Sequence, residues 1–559
     1  MIKISKMNFN KFNFLILFFL ITSSFIHSQV IKNLNSSFES YSAYYLDDSK
    51  TGDFSFDKRF RSNNYLNLKS YTGKNWNFEL QIESYAPSPL LNYSSNFEKT
   101  NISTFKVQYN KNKINVQLGN FYEQFGSGMI MRTWEDKDLG INNSIRGLNV
   151  EYRINNKINF TALFGNQKKG FKYSKGYIVG FNSEFDFSKI TKNDSTFLVG
   201  LSYVGRNDQK TKSNFYNEIA NLFSTRIDYS SSSFYSNFEI ITKSKDPIIV
   251  FGSVSETFIK NGNAILLNSG FFKNGLGIDL TFRRLENMSL FSEKEAYGNP
   301  YNESIINYLP ALTKQHDYSL TNLYVYAAQP NVSFLSKDFM KAGEIGMQAD
   351  LYYFIKKETL LGGLYGTNIA INASLWNNLD GNFDYSNQNY QTDLLEFGEK
   401  YFSELSIEIR KKWSPKYDNI LLYVNQYYNS RLLEEKSGII RSNIFVLENT
   451  YKINNNKSIR LELQHLSSKD DTKNWSAIGF EYNMSSAISF YITDMYNYQN
   501  PIKEKKIHYY NIGGSYRKGA KRYTLNYGRQ RGGLVCTGGI CRYVPESTGI
   551  SFSAITSFF

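Results

Sequence analysis

Residues 76–83 read Trp-Asn-Phe-Glu-Leu-Gln-Ile-Glu, with apolar and polar side chains in strict alternation. The same alternation returns at residues 148–154, 405–410 and 459–464, and similar segments recur from about residue 35 to Phe559. Because successive side chains of a strand point to opposite faces, each segment has one apolar and one polar face. Repeated along a whole chain, this pattern is typical of a membrane β-barrel, with apolar side chains toward lipid and polar ones toward the lumen.

Nothing in the composition divides the 559-residue chain into separate domains, since it holds only nine prolines and no low-complexity linker. Aromatic residues make up 16 % of the chain, as expected for strands and for the aromatic girdles of outer-membrane barrels. The mean hydropathy of -0.44 suits a barrel, in which only alternate residues need be apolar. We predict an all-β fold, a large antiparallel transmembrane barrel spanning residues 29–559.

The N-terminus has the order of a secretory signal peptide. Lys3, Lys6 and Lys11 precede an apolar run at residues 14–21, and small polar residues follow. The run is too short to span a bilayer, so we predict a cleaved signal over residues 1–28. Export followed by barrel insertion implies an envelope with two membranes. The expected location is the cell outer membrane, and the expected partners are outer-membrane lipid and, during biogenesis, the barrel-assembly machinery.

The connections between the predicted strands alternate in length. Short Gly, Asn and Lys turns, such as those at residues 72–75, 110–113 and 155–157, are of the tight hairpin type. Short periplasmic turns and long extracellular loops are typical of bacterial barrels, and this count gives about 24 strands, within a range of 22–26. The predicted long links are residues 86–100, 123–144, 206–217, 286–341, 377–400, 429–442 and 529–547.

Two of the long links are candidate functional segments. A loop as long as residues 286–341 is usually functional or disordered, and its apolar content argues against disorder. It either folds inward to constrict the lumen or forms an extracellular cap. Within the 123–144 link, Arg132, Glu135 and Asp136 place mixed charge at a predicted mouth. The simpler alternative is a salt-bridged loop that stabilises the rim.

Charged residues on the polar strand faces complete the candidate lumen set. Both signs are present, so these side chains either line a wet lumen and set its ion preference or pair with one another to brace the wall. The residues are Glu151, Arg153, Glu408, Arg410, Arg460 and Glu462.

Cys536 and Cys541 are the only cysteines, and they flank a Gly-rich stretch. A close pair in an exported protein predicts a disulfide, and its spacing is not that of a zinc site. The formal charge of +14 is spread over turns and strand faces, without the basic block and interleaved aromatics of a nucleic-acid groove. No nucleic-acid partner, metal, cofactor or catalytic residue is predicted, and no motif indicates an enzyme.

Three motifs give the chain a family resemblance. They are residues 121–129 (Phe-Tyr-Glu-Gln-Phe-Gly-Ser-Gly-Met) with 145–148, residues 309–316 (Leu-Pro-Ala-Leu-Thr-Lys-Gln-His), and residues 536–545 around the cysteines. The chain resembles an uncharacterised family of large outer-membrane barrels from Bacteroidetes-type bacteria. The resemblance implies location and fold but no activity. The chain differs from TonB-dependent transporters, which carry a long N-terminal plug, because barrel-like strands begin here soon after Gln29.

The sequence therefore favours a passive, porin-like channel that admits small solutes through a polar lumen. The alternative is a structural or accessory subunit of a larger outer-membrane assembly for secretion or surface-protein export. Long aromatic outer loops support the alternative, since exposed apolar patches usually mark partner surfaces. Other envelope proteins would then be its partners.

Overall fold

A computed structural model of the protein describes residues 34–558, except 55–57, 91–96, 138–139, 156, 191–194, 209–218, 251–252, 295–303, 437 and 538–539. The predicted signal peptide and Phe559 lie outside the described residues. The chain forms a closed barrel of 24 antiparallel strands, which confirms the predicted fold class and strand number. Among the described residues, no helix is long and apolar enough to cross a membrane.

Barrel strands are numbered here in chain order, with the following bounds: β1 Leu34–Leu46, β2 Phe60–Thr72, β3 Trp76–Ser84, β4 Thr100–Lys111, β5 Ile114–Phe121, β6 Ile145–Asn155, β7 Ile158–Lys169, β8 Tyr177–Asp186, β9 Thr196–Asn207, β10 Ile219–Ser230, β11 Phe234–Val250, β12 Ser253–Lys273, β13 Leu276–Glu286, β14 Glu344–Ile355, β15 Thr367–Asp384, β16 Asn389–Lys412, β17 Tyr417–Tyr428, β18 Ile440–Asn454, β19 Lys457–Ser468, β20 Trp475–Asn483, β21 Ile488–Tyr496, β22 His508–Lys518, β23 Lys521–Gln530 and β24 Ser547–Phe558.

Shorter elements lie in the connections. They are the strands Gln124–Phe125, Met131–Arg132, Glu135–Asp136, Ile141–Asn142, Lys172–Tyr173, Val332–Ser333, Lys341–Ala342, Gly533–Thr537 and Ile540–Val544, the 3-10 helices Ser188–Ile190, Leu320–Asn322, Lys337–Phe339 and Lys503–Lys505, and the α-helix Ser430–Glu434.

The barrel closes where the first strand meets the last. β1 pairs antiparallel with β24, in a register that runs from Ser36 opposite Phe558 to Leu46 opposite Thr548. In the described part of the wall that all 24 strands share, closure leaves no sheet edge, which is the condition for a sheet to cross lipid.

The outer face is apolar, as the alternation predicts. Leu148, Phe223 and Leu525 are 43 %, 57 % and 57 % exposed and all point away from the lumen. In β6, the next residue after Leu148 is Asn149, which is buried inside the barrel. These exposed side chains form the surface that contacts membrane lipid, so the barrel associates with the outer-membrane bilayer.

The short and long connections lie at opposite ends of the barrel, which are called here the short-turn end and the long-loop end. Tight turns such as residues 519–520 close the short-turn end, where Gly519 adopts a φ of 58°. A positive φ favours glycine, and it suits the primed turns that join twisted strands.

The predicted long link at residues 377–400 is wrong. β15 continues to Asp384 and β16 starts at Asn389, so only residues 385–388 form a turn. These strands are longer than the 9–11 residues that cross a bilayer, so the hairpin projects from the long-loop end. There it needs no lipid face, which is why the alternation that marks the other strands is absent. Its Phe383 and Tyr390 pack instead on Phe334.

The cysteines lie in a small hairpin between β23 and β24. Cys536 stands directly opposite Cys541 in the pairing of Gly533–Thr537 with Ile540–Val544. Opposite residues of an antiparallel pair are close enough for the Cα separation that a disulfide requires. The Cys536 side chain lies outside the described part of the structure, so the disulfide stays a prediction.

Candidate functional site in the barrel lumen

Two loops fold into the barrel from its long-loop end. The first lumen loop comprises the described part of residues 122–144, between β5 and β6, and the second comprises the described part of residues 287–343, between β13 and β14. They are joined to each other: Arg132 N donates to Ile306 O over 3.0 Å, and Asn307 Nδ2 donates to Met129 O over 2.9 Å. The sequence left open whether residues 286–341 fold into the lumen or form an extracellular cap. In the structure, the described part of this segment folds into the lumen.

Apolar side chains of both loops form a first core against one side of the wall. Its members are all less than 10 % exposed, so side chains fill the lumen between the two loops and this side of the wall. The alternation predicts polar side chains on the inward strand faces, but here the inward side chains are apolar. The reason is that a loop, and not water, covers them. The core includes Phe125, Met129, Ile130 and Met131 of the first loop, Met288, Leu290, Ile306 and Leu309 of the second, and Leu163, Ile178, Val204, Leu222, Ile241 and Leu266 of β7 to β12.

The second lumen loop then crosses to another part of the wall and forms a second core. Tyr326 stacks on Trp376 and Phe402, with ring centroids 6.0 and 5.5 Å apart. Aromatic pairs of this kind add about 0.5–1.5 kcal/mol beyond the burial of their surface. The core includes Tyr318, Leu320, Tyr324 and Tyr326 of the loop and Trp376, Phe402, Val424, Ile444, Leu466 and Trp475 of β15 to β20.

A buried ion pair fixes the return of the second lumen loop to the wall. Arg283 Nε donates to Glu344 Oε1 over 3.1 Å, and both side chains are less than 2 % exposed. Tyr326 OH and Gln329 N donate to the other oxygen of Glu344, over 2.5 and 2.7 Å. The carboxylate is thus satisfied from both the wall and the loop, as a buried charge requires.

The first lumen loop is held by polar contacts to β3 and β7. Gln81 Nε2 donates to Glu135 Oε1 over 2.8 Å, and Asn142 Nδ2 donates to the same oxygen over 3.2 Å. Nearby, Lys168 Nζ lies 3.4 Å from Glu83, with both side chains buried. Burial raises the pKa of Glu135 above its ordinary value. These contacts close the lumen on the side of β3.

The candidate mouth residues of the sequence have different partners in the structure. The Arg132 guanidinium lies over the Tyr308 ring, 4.0 Å from its centroid, and so links the two lumen loops. Glu135 and Asp136 form a short strand paired with residues 141–142. The segment therefore lies inside the lumen rather than on its rim.

The remaining candidates lie on the inward wall toward the short-turn end. Glu151 and Arg153 are on β6, while Glu408 pairs with Arg410 on β16 at 2.5 Å. Arg460 lies 3.2 Å from Glu448, 3.6 Å from Glu462 and 3.2 Å from Glu481. Arg410 and Arg460 remain 56 % and 43 % exposed, so these groups are paired and also face the open part of the lumen.

Strands β21 to β24 carry an inward face that the lumen loops leave half-exposed, named here the uncovered strip. Its side chains are all uncharged, and all are small except that of one tyrosine. Comparable inward side chains beneath the loops are buried: Asn182, Ser202 and Ser224 are 6 %, 5 % and 3 % exposed. The strip comprises Ser489, Tyr491, Asn511, Gly513, Ser515, Thr524, Asn526, Ser551 and Ser553, all of intermediate exposure.

One cavity lies at each end of the uncovered strip. A cavity of about 570 Å³ toward the long-loop end is lined by Asn511, Asn526 and Ser551, among others. A cavity of about 610 Å³ at the short-turn end is lined by Ser489 and Ser515. Thr524 stands between the two, since it pairs with Ser515 and is two residues from Asn526.

A profile described as "Family of unknown function (DUF6029)" matches residues 9–558 of the chain. The protein belongs to this family. No curated protein matches the DUF6029 chain in sequence. Among solved structures, the siderophore receptor PirA from Pseudomonas aeruginosa is 8 % identical, with a TM-score of 0.37 over 95 % of this chain and 81 % of that one. A BenF-like porin from Pseudomonas fluorescens Pf-5 is 10 % identical, with a TM-score of 0.35 over 78 % and 98 %.

The closed 24-strand barrel with its apolar outer face locates the DUF6029 protein in the outer membrane. Similarity this low carries nothing about solute or partner. The strand alternation alone does not identify the uncovered strip of the DUF6029 barrel. The sequence does carry one indication of it, because small residues replace charged ones at alternate positions of β22 and β24. They are Asn511, Gly513 and Ser515, and Gly549, Ser551 and Ser553.

Proposed function

We propose that the protein is a passive outer-membrane channel for small solutes, and that the solutes pass along the uncovered strip. The observation that carries this proposal is the strip itself, with a cavity at each end. Elsewhere at the long-loop end, the described lumen loops bury the inward face of the wall. A narrow eccentric passage lined by hydroxyl and amide groups suits small polar solutes.

The strip is also held in a defined shape. Ser489 Oγ and Ser515 Oγ lie 2.7 Å apart, and Asn526 Nδ2 donates to Ser551 Oγ over 3.3 Å. Tyr491 OH donates to Asn526 as well. These hydrogen bonds use some of the donors and acceptors of the wall, and the other donors and acceptors can bind water or solute.

The test is single-channel conductance of the purified protein in a planar bilayer. Thr524→Trp places a bulky ring between the two cavities, so the conductance should fall by at least about half, since steric access sets flux through a narrow pore. Leu525→Trp is the matched control, because Leu525 is the next residue on β23 and points to lipid, 57 % exposed.

Steady, ohmic steps that shrink in the Thr524 variant and persist in the Leu525 variant would support the channel. A correctly folded barrel that conducts nothing would refute it. Equal conductance in both variants would place the passage elsewhere in the lumen.

An accessory role in a larger outer-membrane assembly is the second candidate. It is favoured by exposed apolar side chains at the long-loop end, which neither pack in the lumen nor face the bilayer. Leu394 and Leu395 of the projecting hairpin are 61 % and 60 % exposed, and Tyr543 is 69 % exposed. Exposed apolar groups of this kind mark contact surfaces. Cross-linking from position 394 in the native membrane tests this role, and a specific adduct with one envelope protein would support it.

A further inference from the structure

Two arginines stand at the short-turn end of the uncovered strip, directly opposite each other. Arg517 of β22 pairs with Arg522 of β23 in the strand register. They share the inward face of Ser515 and Thr524, because Tyr516 and Tyr523, the alternate residues, point outward and stack with centroids 6.4 Å apart. Both guanidinium groups therefore face the lumen.

Like charges directly opposite on neighbouring strands are destabilising unless something compensates them. Among the residues that the structure describes, no carboxylate lies within 4 Å of Arg517 or Arg522. Arg460, by comparison, faces the same end of the lumen and is paired with three glutamates. The arginine pair is a cationic site whose counter-charge does not come from the described chain.

Hydrogen-bonding groups and a third cation, but no carboxylate of the described chain, accompany the pair in the cavity. The cavity of about 610 Å³ is lined by both arginines, by Lys521, by Ser489 and Ser515, and by the turn at residues 519–520. Guanidinium groups bind carboxylates and phosphates through two parallel N–H bonds, and serine hydroxyls add further donors. The cavity has the volume for a small organic anion rather than a single ion.

We propose that Arg517 and Arg522 form an anion-binding site at the short-turn mouth of the passage, and that the protein carries small solutes bearing carboxylate or phosphate groups. The transport half of this inference rests on the proposed channel function, whereas binding at the site does not. The uncovered strip between the cavities holds no carboxylate to repel such a solute. The anion then leaves or enters past two cations that replace part of its hydration.

The short-turn end supplies a matched control. Lys518 is next to Arg517 but lies on the outward parity of β22, with Tyr516. Lys74 is exposed in the turn between β2 and β3, away from the cavity. The variant Arg517→Gln/Arg522→Gln removes two positive charges from the lumen face. The lysine variant Lys74→Gln/Lys518→Gln removes two from the same end of the barrel outside the cavity, where phospholipid headgroups would be their anion.

Two measurements separate the site from the channel. The first is isothermal titration of the solubilised wild-type protein and both variants with inorganic phosphate and, separately, with acetate. We expect saturable binding of at least one of these probes, weakened at least about tenfold in the arginine variant and unchanged in the lysine variant. Binding of phosphate alone would assign the solute class to phosphates, and binding of acetate would extend it to carboxylates.

The second measurement is the reversal potential across a bilayer that separates concentrated from dilute KCl. The wild type should prefer chloride, and the arginine variant should lose that preference by about threefold or more. Equal loss in the lysine variant, or titrations that do not distinguish the arginine variant from the wild type, would overturn the site. A silent barrel that still binds anions through the arginines would refute the channel and leave the site standing.

Discussion

His316 Nε2 lies 2.8 Å from Oε1 of Glu404, where the middle of the second lumen loop meets β16. Both side chains are buried, at 6 % and 2 % exposure, and Gln426 Nε2 donates to the other Glu404 oxygen over 2.8 Å. One carboxylate thus ties the loop to two neighbouring strands of the wall.

Replacing Glu404 with Ala should destabilise the barrel by about 2–4 kcal/mol, because buried polar groups of His316 and Gln426 lose their partner. The measurement is the urea midpoint of the refolded protein. His508→Gln is the control, since His508 and Asp494 are 2.7 Å apart but exposed, and such pairs contribute at most about 1 kcal/mol. An equal loss of stability in the Glu404→Ala and His508→Gln variants would show that the loop is not anchored at Glu404.

Lys341 predicts a dependence of stability on pH. Its Nζ donates to Gln329 Oε1 over 2.9 Å and to Leu432 O over 2.7 Å, and burial lowers the pKa of Lys341 to about 8. Between pH 8 and 10.5 the unfolded chain keeps this proton while the folded protein has lost it. The unfolded state binds more protons there, so the free energy of unfolding rises with pH across that window.

Relative to Lys341→Met, the wild type should gain at most about 3 kcal/mol between pH 8 and 10.5. Urea midpoints measured at half-unit steps of pH give the curve. Lys337→Met, at an exposed position of the same loop, is the control and should follow the wild type. If the difference in stability between the wild type and Lys341→Met did not change with pH, burial would not disfavour the charged ammonium group of Lys341.

Arg460 should control the balance of charge in the open part of the lumen. Arg460→Gln leaves Glu448, Glu462 and Glu481 without their shared cation, so the reversal potential in a KCl gradient should move toward that of potassium. Arg410→Gln frees only Glu408 and should move it less. Equal shifts, or none, would mean that this wall does not face the conducting path.

The cysteine hairpin gives a chemical prediction. Cys536 and Cys541 stand opposite each other, so alkylation of the unreduced, unfolded protein should label neither, and reduction should expose two thiols. Intact-mass measurement before and after reduction distinguishes the states. The double variant Cys536→Ser/Cys541→Ser should cost about 2 kcal/mol or less, because the bridge closes a very short loop. Labelling without reduction would disprove the bridge.

Much of the barrel could be predicted because lipid imposes one rule on every strand. The alternation in residues 76–83 and 148–154 identified β3 and β6, and the tight turns supplied the strand number. The rule fails where lipid or water no longer faces the strand. Val424 and Ile444 point inward and are fully buried, because the second lumen loop covers them.

The lumen itself could not be derived from local pattern. Asn307 and Met129 are 178 residues apart, and nothing near either residue indicates the other. The charged candidates were sought on the polar strand faces and at a mouth, and in the structure Arg132 and Glu135 of the mouth set hold the first lumen loop in place. The uncovered strip follows only from knowing which wall the loops leave half-exposed.

The two apolar cores also hold the second lumen loop inside the barrel. To swing the second lumen loop out of the barrel would transfer Leu290, Leu320 and Tyr326, each at most 1 % exposed, into water. Each such side chain resists by roughly 1.5–3 kcal/mol, and many must move together. The described part of the loop therefore stays inside the barrel and does not act as a gate. In the proposed channel the passage then has a constant width, and the cell can adjust the flux only through the number of copies it inserts.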